Sequence, residues 1–178
     1  MSAIGTLFGT ISFFVMFELI DNVSNVPFTY PSLRESVLII ARENLGIVTQ
    51  NCELIPYLTL YENLELSYEL NKGPVDEDKK KDMIKQLNEL GLYNLENEYP
   101  KNLSSGEIKR AAIARSIISK PEVVIMDEPT ANLDRKNVTR VLEVLRRCNE
   151  SGSTVIISSH EGQAIDFADV NINLSDDE

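Results

Sequence analysis

The run VVIMDEPTANLD, residues 123–134, leads four apolar residues straight into two adjacent carboxylates, Asp127 and Glu128. A buried strand that ends in acids is one way to present charge to a metal ion and a phosphate. Two other apolar segments end in useful groups: NLGIVTQ, 44–50, in the amide of Gln50, and STVIISSH, 153–160, in the imidazole of His160. An acid directly after a strand, Asp127, can hold Mg²⁺, and a second, Glu128, can take a proton from an attacking water. Gln50 and His160 can orient that water or a terminal phosphate. Alone, each residue has a plain reading: a His in a loop, a polar Gln after a strand. Their joint order points to phosphate chemistry.

For these groups to meet, the strands must run parallel, because ligands of an open parallel sheet sit at the carboxyl ends of its strands. The sequence has that pattern. Its strand segments are continuous apolar runs without alternation, as in a parallel sheet covered on both faces. Helical periodicity lies between them. Residues 74–90 open with Pro and acids and carry Met83, Ile84, Leu87 and Leu90 at helical spacing. A second helix is expected from about Glu107 to Ser119, and a third over 135–151, with Val138, Val141, Leu142 and Leu145 on one face and Gly152 closing it. The class is α/β, with a helical insertion between Gln50 and the strand at Val123.

The insertion ends in LSSGE, 103–107. Ser104, Ser105 and Gly106 ahead of a helix would point free amides, hydroxyls and the positive helix end at an anion. Ser104 followed three residues later by Glu107 also spells a capping box, which stabilises the helix with no ligand. The two readings are compatible.

At 178 residues, 43% hydrophobic and 25% charged, the chain is sized for one domain with a real core. A net charge of −11 excludes a bulk electrostatic affinity for nucleic acid or anionic lipid, so any nucleotide must be held locally. Cys52 and Cys148 are too few for a disulfide framework, and a single histidine excludes a multi-His metal site. The run AIGTLFGTISFFVMFELI, 3–20, reaches the roughly 18 residues of a spanning helix. It lacks a basic flank, contains Glu18 and is rich in strand formers, and it reads as a hairpin or buried strand of a soluble domain. The tail LSDDE reads as solvated and frayed.

From about Arg42 to Leu174 the sequence resembles the nucleotide-binding domain of ABC transporters, most closely in wording the exporter and lipoprotein-release branch. VVIMDEP resembles the Walker B strand, ANLD (131–134) the D-loop, LSSGE the LSGGQ signature, IVTQN (47–51) the Q-loop and SSHE (158–161) the switch-histidine loop. The resemblance implies an ATP-hydrolysing subunit that uses ATP and Mg²⁺. Glu128, His160 and Gln50 would be catalytic, Asp127 and Gln50 would hold Mg²⁺, and Ser104, Ser105, Gly106, Glu107 and Asp134 would contact nucleotide. It also implies transmembrane permease subunits, a second ABC ATPase subunit in a homo- or heterodimer, no nucleic acid, and a cytoplasmic, peripheral place at the inner face of the cell membrane. The stretch LIPYLTLYENL, 54–64, with Leu54, Ile55, Tyr57 and Leu58 just after the Q-loop, would either dock the permease helices or pack within the helical insertion. Two signature positions depart from the family: its first Gly is Ser105 and its Gln is Glu107.

A P-loop, G-x-x-x-x-G-K-[ST], wraps phosphates with backbone amides and a Lys. None of the eight glycines is followed by Lys. The expectation is therefore a single incomplete ABC nucleotide-binding domain over 1–178, lacking the first part of its core, with a helical subdomain at about 56–119. Losing four or so charge-assisted hydrogen bonds of about 1.5–3 kcal/mol each removes on the order of 6 kcal/mol, a roughly ten-thousandfold loss of ATP affinity. Two alternatives stand beside this reading. A C-terminal lobe of an SMC-type DNA-maintenance ATPase would need long heptads before the signature, and none run between Gln50 and Leu103. A degenerate, non-catalytic interaction domain would keep the fold without turnover.

Overall fold

A computed structural model describes residues 44–172. The expectations for the N-terminal run, for most of residues 31–44 and for the tail LSDDE lie outside the described residues. Among the described residues three parallel strands form the sheet in the order β1-β2-β3: β1 is Leu45–Val48, β2 Val123–Asp127 and β3 Thr154–Ser158. Val48 pairs with Met126, and Met126 with Ile157, so all three strands end at the same edge. The register puts Gly46, Val48, Val124, Met126, Val155 and Ile157 on one face, because successive side chains alternate across a strand.

That face is the covered one. Both crossovers advance in the same direction across the sheet, and right-handed connections then lay their helices on the same side. Helix α3, Ser105–Ile117, and helix α4, Arg135–Glu150, bury Ile113, Ile117, Val141, Val144 and Leu145 in one cluster with Val48, Val124 and Met126. The opposite face, with Leu45, Ile47, Val123, Ile125 and Ile156, is half open among the described residues, and Ile156 is 52% exposed. The sequence pattern called for cover on both faces; α3 and α4 supply it on one. Gly46 permits close packing on the covered side: a Cβ there would lie 2.4 Å from the Ser116 carbonyl oxygen.

The helices start where side-chain caps place them. Helix α1, Leu60–Lys72, opens with a capping box between Thr59 and Glu62. It takes in the second half of the stretch 54–64 and buries Leu60 and Leu64 completely, so that part packs within the insertion rather than forming a docking surface. Helix α2 spans Glu77–Glu89; it leaves Pro74 outside because the Asp76 carboxylate accepts a hydrogen bond from the Lys79 amide at 2.7 Å and so sets the first turn. Helix α3 begins two residues before the expected Glu107, with Ser104 as its cap. A short 3₁₀ turn, Pro100–Asn102, precedes it. Helix α5, Gly162–Phe167, follows β3. No helix of the described residues is long and apolar enough to cross a membrane.

Candidate functional site

The site is built from the exit of β2 outward. Asp127 closes the strand opposite Ser158 of β3, and the Ser158 hydroxyl donates a hydrogen bond to Asp127 Oδ1. This fixes one oxygen of the carboxylate. The next residue leaves the strand abruptly: Glu128 has φ +50°, in the left-handed region, while its amide still donates to the Ser158 carbonyl at 3.0 Å. A side chain held there costs about 1–2 kcal/mol, so the surroundings must impose it. The turn swings the Glu128 carboxylate toward the exit of β3. There His160 Nδ1–H donates to Glu128 Oε1 at 2.7 Å, which leaves the other ring nitrogen toward solvent. That hydrogen bond and the carboxylate charge raise the imidazole pKa above its ordinary value. Glu128 Oε2 is buried with no hydrogen-bond partner.

Beneath this turn lies a buried cation. Lys109, in α3 and only 9% exposed, donates from Nζ to the carbonyl oxygens of Glu128 and Ala131, each at 2.9 Å. The turn also closes on itself through Ala131 N to Glu128 O and Leu133 N to Thr130 O, with Asn132 at φ +63°.

At the exit of β1 the chain turns at Gln50 and passes through Cys52, buried and at φ +48°. Burial pushes the Cys52 thiol pKa up, which leaves it a poor nucleophile. The segment that follows is held by Asn63 of α1, 1% exposed. Its Oδ1 accepts from the Ile55 amide at 2.8 Å, and its Nδ2 points at the carbonyls of Ile55, Leu58 and Thr59. Farther out, Tyr57 is 87% exposed.

These exits open on one cleft of about 800 Å³ lined by Gln50, Asp127, Glu128 and His160 from the strand ends and by Ser105 and Gly106 from the start of α3. Three other sequence-derived candidates, Ser104, Glu107 and Asp134, do not line it; all three serve in helix caps. Ser104 and Glu107 form the reciprocal capping box, and bonds from the Ser104 hydroxyl and amide hold the Glu107 carboxyl below the usual carboxylate range. The Asp134 carboxylate accepts from the Asn137 amide at 2.9 Å at the start of α4, which lowers its pKa. Between them lies Arg110, 6% exposed, its Nε without a partner.

Sequence reasoning passed over Lys109, Ser158 and Asn63 as individual residues. The signal for Asn63 is a polar residue on the apolar stripe of a helix opened by a capping box, but for Lys109 the sequence holds no comparable sign. Among the described residues no cluster of three or more His, Cys, Asp or Glu is set to enclose a metal ion. Mg²⁺ needs no such cage, since it takes one or two carboxylates, keeps waters and shares phosphate oxygens. Asp127 and Gln50, which both line the cleft, fit that demand, and Glu128 Oε2 is buried without a hydrogen-bond partner.

Comparison with known proteins bears on this arrangement. Residues 23–131 match the family model described as ABC transporter. The cell division ATP-binding protein FtsE of Streptococcus pneumoniae is 33% identical over 144 residues, 81% of this chain and 62% of that protein. The uncharacterized ABC transporter ATP-binding protein MJ1508 of Methanocaldococcus jannaschii is 38% identical over 141 residues, 79% of this chain and 62% of its own length. Among solved structures, the ATP-binding cassette MJ0796, a dimer in a post-hydrolysis state bound to ADP and Pi, superposes with a TM-score of 0.68 at 30% identity, over 75% of this chain and 60% of that one. The chain thus spans about three fifths of the length of these proteins.

Proposed function

The chain belongs to the ABC transporter family, and from that premise we propose that it is an ATP-binding subunit coupling ATP binding and hydrolysis to transmembrane transport. It works with permease subunits and a second ABC ATPase subunit at the cytoplasmic face of the membrane. The convergence of Gln50, Asp127, Glu128 and His160 from three strand ends on one cleft carries this reading. Residues 1–178 act within one nucleotide-binding domain, in which about 56–119, the stretch of α1 to α3, is the helical subdomain.

Each group has a role that its surroundings support. Asp127, one oxygen fixed by Ser158, would hold Mg²⁺ together with Gln50. When bound, the ion neutralises charge on phosphate oxygens. Glu128 accepts the proton of the attacking water, its carboxylate held by the bond between Oε1 and His160. The bond to Glu128 and its charge raise the imidazole pKa, which favours His160 as a donor to a phosphate oxygen. The sequence contains no G-x-x-x-x-G-K-[ST]. The triphosphate is therefore gripped by another polypeptide segment, and this chain contributes the acid side and the signature.

The family signature covers nucleotide held by a partner subunit, and in this reading the first turn of α3, with Ser105 and Gly106, takes that role; their position on the surface of the cleft supports it. Ser104, Glu107 and Asp134 contribute by shaping the helix starts that meet the phosphate. The test is to mix the chain with a complete cassette such as MJ0796 and follow steady-state ATP hydrolysis. The wild-type chain should alter the turnover of the mixture, and Ser105→Arg should abolish that change. No effect of the wild-type chain, together with no mixed dimer on gel filtration, would remove the proposal.

A further inference from the structure

The geometry points to Lys109 as a positioning residue that holds the Glu128 carboxylate in place by clamping its backbone from below. The inference rests on the reading of Glu128 as the proton acceptor of the cleft, but its geometric part stands apart from any nucleotide.

Three observations carry it. The left-handed conformation of Glu128, φ +50°, is intrinsically unfavourable and needs an external hold. The Lys109 ammonium supplies one, with two 2.9 Å bonds to the carbonyls that bracket the turn, those of Glu128 and Ala131. Those bonds are charge-assisted and almost fully screened from solvent, where such bonds are strongest. Lys109 also lies one helical turn beyond Gly106, on the same first stretch of α3 that lines the cleft. A displacement of α3 by a ligand at its start would therefore pull directly on the backbone of Glu128. A methionine at 109 fills similar space yet donates nothing, so the turn could relax toward ordinary φ and carry the carboxylate away from His160. A glutamine restores a donor without the charge.

His160 is the only histidine of the chain, so its ring resonance reports the position of the Glu128 carboxylate without ambiguity. The experiment is an NMR titration of that ring in metal-free buffer for the wild-type chain, Lys109→Met, Lys109→Gln and Glu128→Gln, with a backbone amide spectrum of each to establish folding. Glu128→Gln gives the His160 midpoint without the carboxylate. The inference expects Lys109→Met to shift the midpoint down to that of Glu128→Gln, and Lys109→Gln to recover at least part of the difference. A folded Lys109→Met with the wild-type midpoint overturns it. Should Lys109→Met fail to fold, Lys109→Ala, which also donates nothing, decides in the same way: a folded variant with the wild-type midpoint overturns the inference. If Glu128→Gln itself leaves the midpoint where it was, the pairing of Glu128 with His160 is wrong, which is a separate failure.

Discussion

Replacing Asn63 by leucine, a side chain of similar volume, removes polar contacts from the segment after β1 without opening a cavity. Four backbone groups lose the Asn63 side chain, but they do not lose equally. The Ile55 carbonyl still accepts from the Leu58 amide at 3.2 Å, and the Thr59 carbonyl still accepts from the residue-63 amide at 3.0 Å. The Ile55 amide and the Leu58 carbonyl are left without these bonds. Orphaning two such groups costs about 1–3 kcal/mol each when buried. Ile55 is 37% exposed, so water recovers part, and the expected total is about 2–3 kcal/mol. For a chain of this size that lowers Tm by roughly 4–12 °C. Urea unfolding measures the loss, and amide hydrogen exchange localises it: protection at Ile55 should fall by about 30- to 150-fold at 1.4 kcal/mol per decade. A loss under about 0.5 kcal/mol with unchanged exchange at Ile55 would refute the claim that Asn63 orders this segment.

Gly46→Ala forces a Cβ to 2.4 Å from Ser116 O and 2.9 Å from Pro121 Cγ, and should cost about 1–3 kcal/mol in urea unfolding, because backbone rather than a flexible side chain must give way. Ser104→Ala deletes the α3 capping box and should cost about 1 kcal/mol near neutral pH. Glu107 has a lowered folded pKa, so its contribution is present above the ordinary carboxylate value and fades as pH falls through the folded one; the cost of Ser104→Ala should shrink in acid. His160 has a raised folded pKa, so its pairing with Glu128 stabilises fully below the unfolded value and is lost as pH rises through the folded one. Denaturation of wild type against His160→Gln should therefore show a small advantage for wild type at about pH 6 that vanishes at about pH 9.

The strand exits were legible because each writes its function locally: an apolar run, then a polar group that nothing in the strand explains. Gln50, Asp127, Glu128 and His160 needed only a parallel register to meet, and the register is what Val48, Met126 and Ile157 provide. The capping box at Ser104 and Glu107 was legible for the same local reason. Helix α1 was written just as plainly by Thr59 and Glu62, but the apolar text before it, Leu54 to Leu58, left a docking surface open beside packing within the insertion. Lys109 is another matter. In LSSGEIKRAAIARS it looks like any solvated basic residue of a helix, and its burial exists only because α3 runs beneath the turn that follows β2. The strain at Glu128 is invisible for a related reason, since a left-handed glutamate has no signature in its neighbours. What sequence cannot write is a contact between elements whose partners are backbone atoms.

The central claim is that this chain supplies the carboxylate and imidazole side of a phosphate site and leaves the grip on the triphosphate to another segment. Calorimetric titration of the chain alone with Mg-ATP addresses it most directly. Without the several charge-assisted bonds of a P-loop, affinity should be about ten thousandfold below a micromolar site, in the millimolar range or weaker. A micromolar Kd, lost on Asp127→Asn, would contradict it.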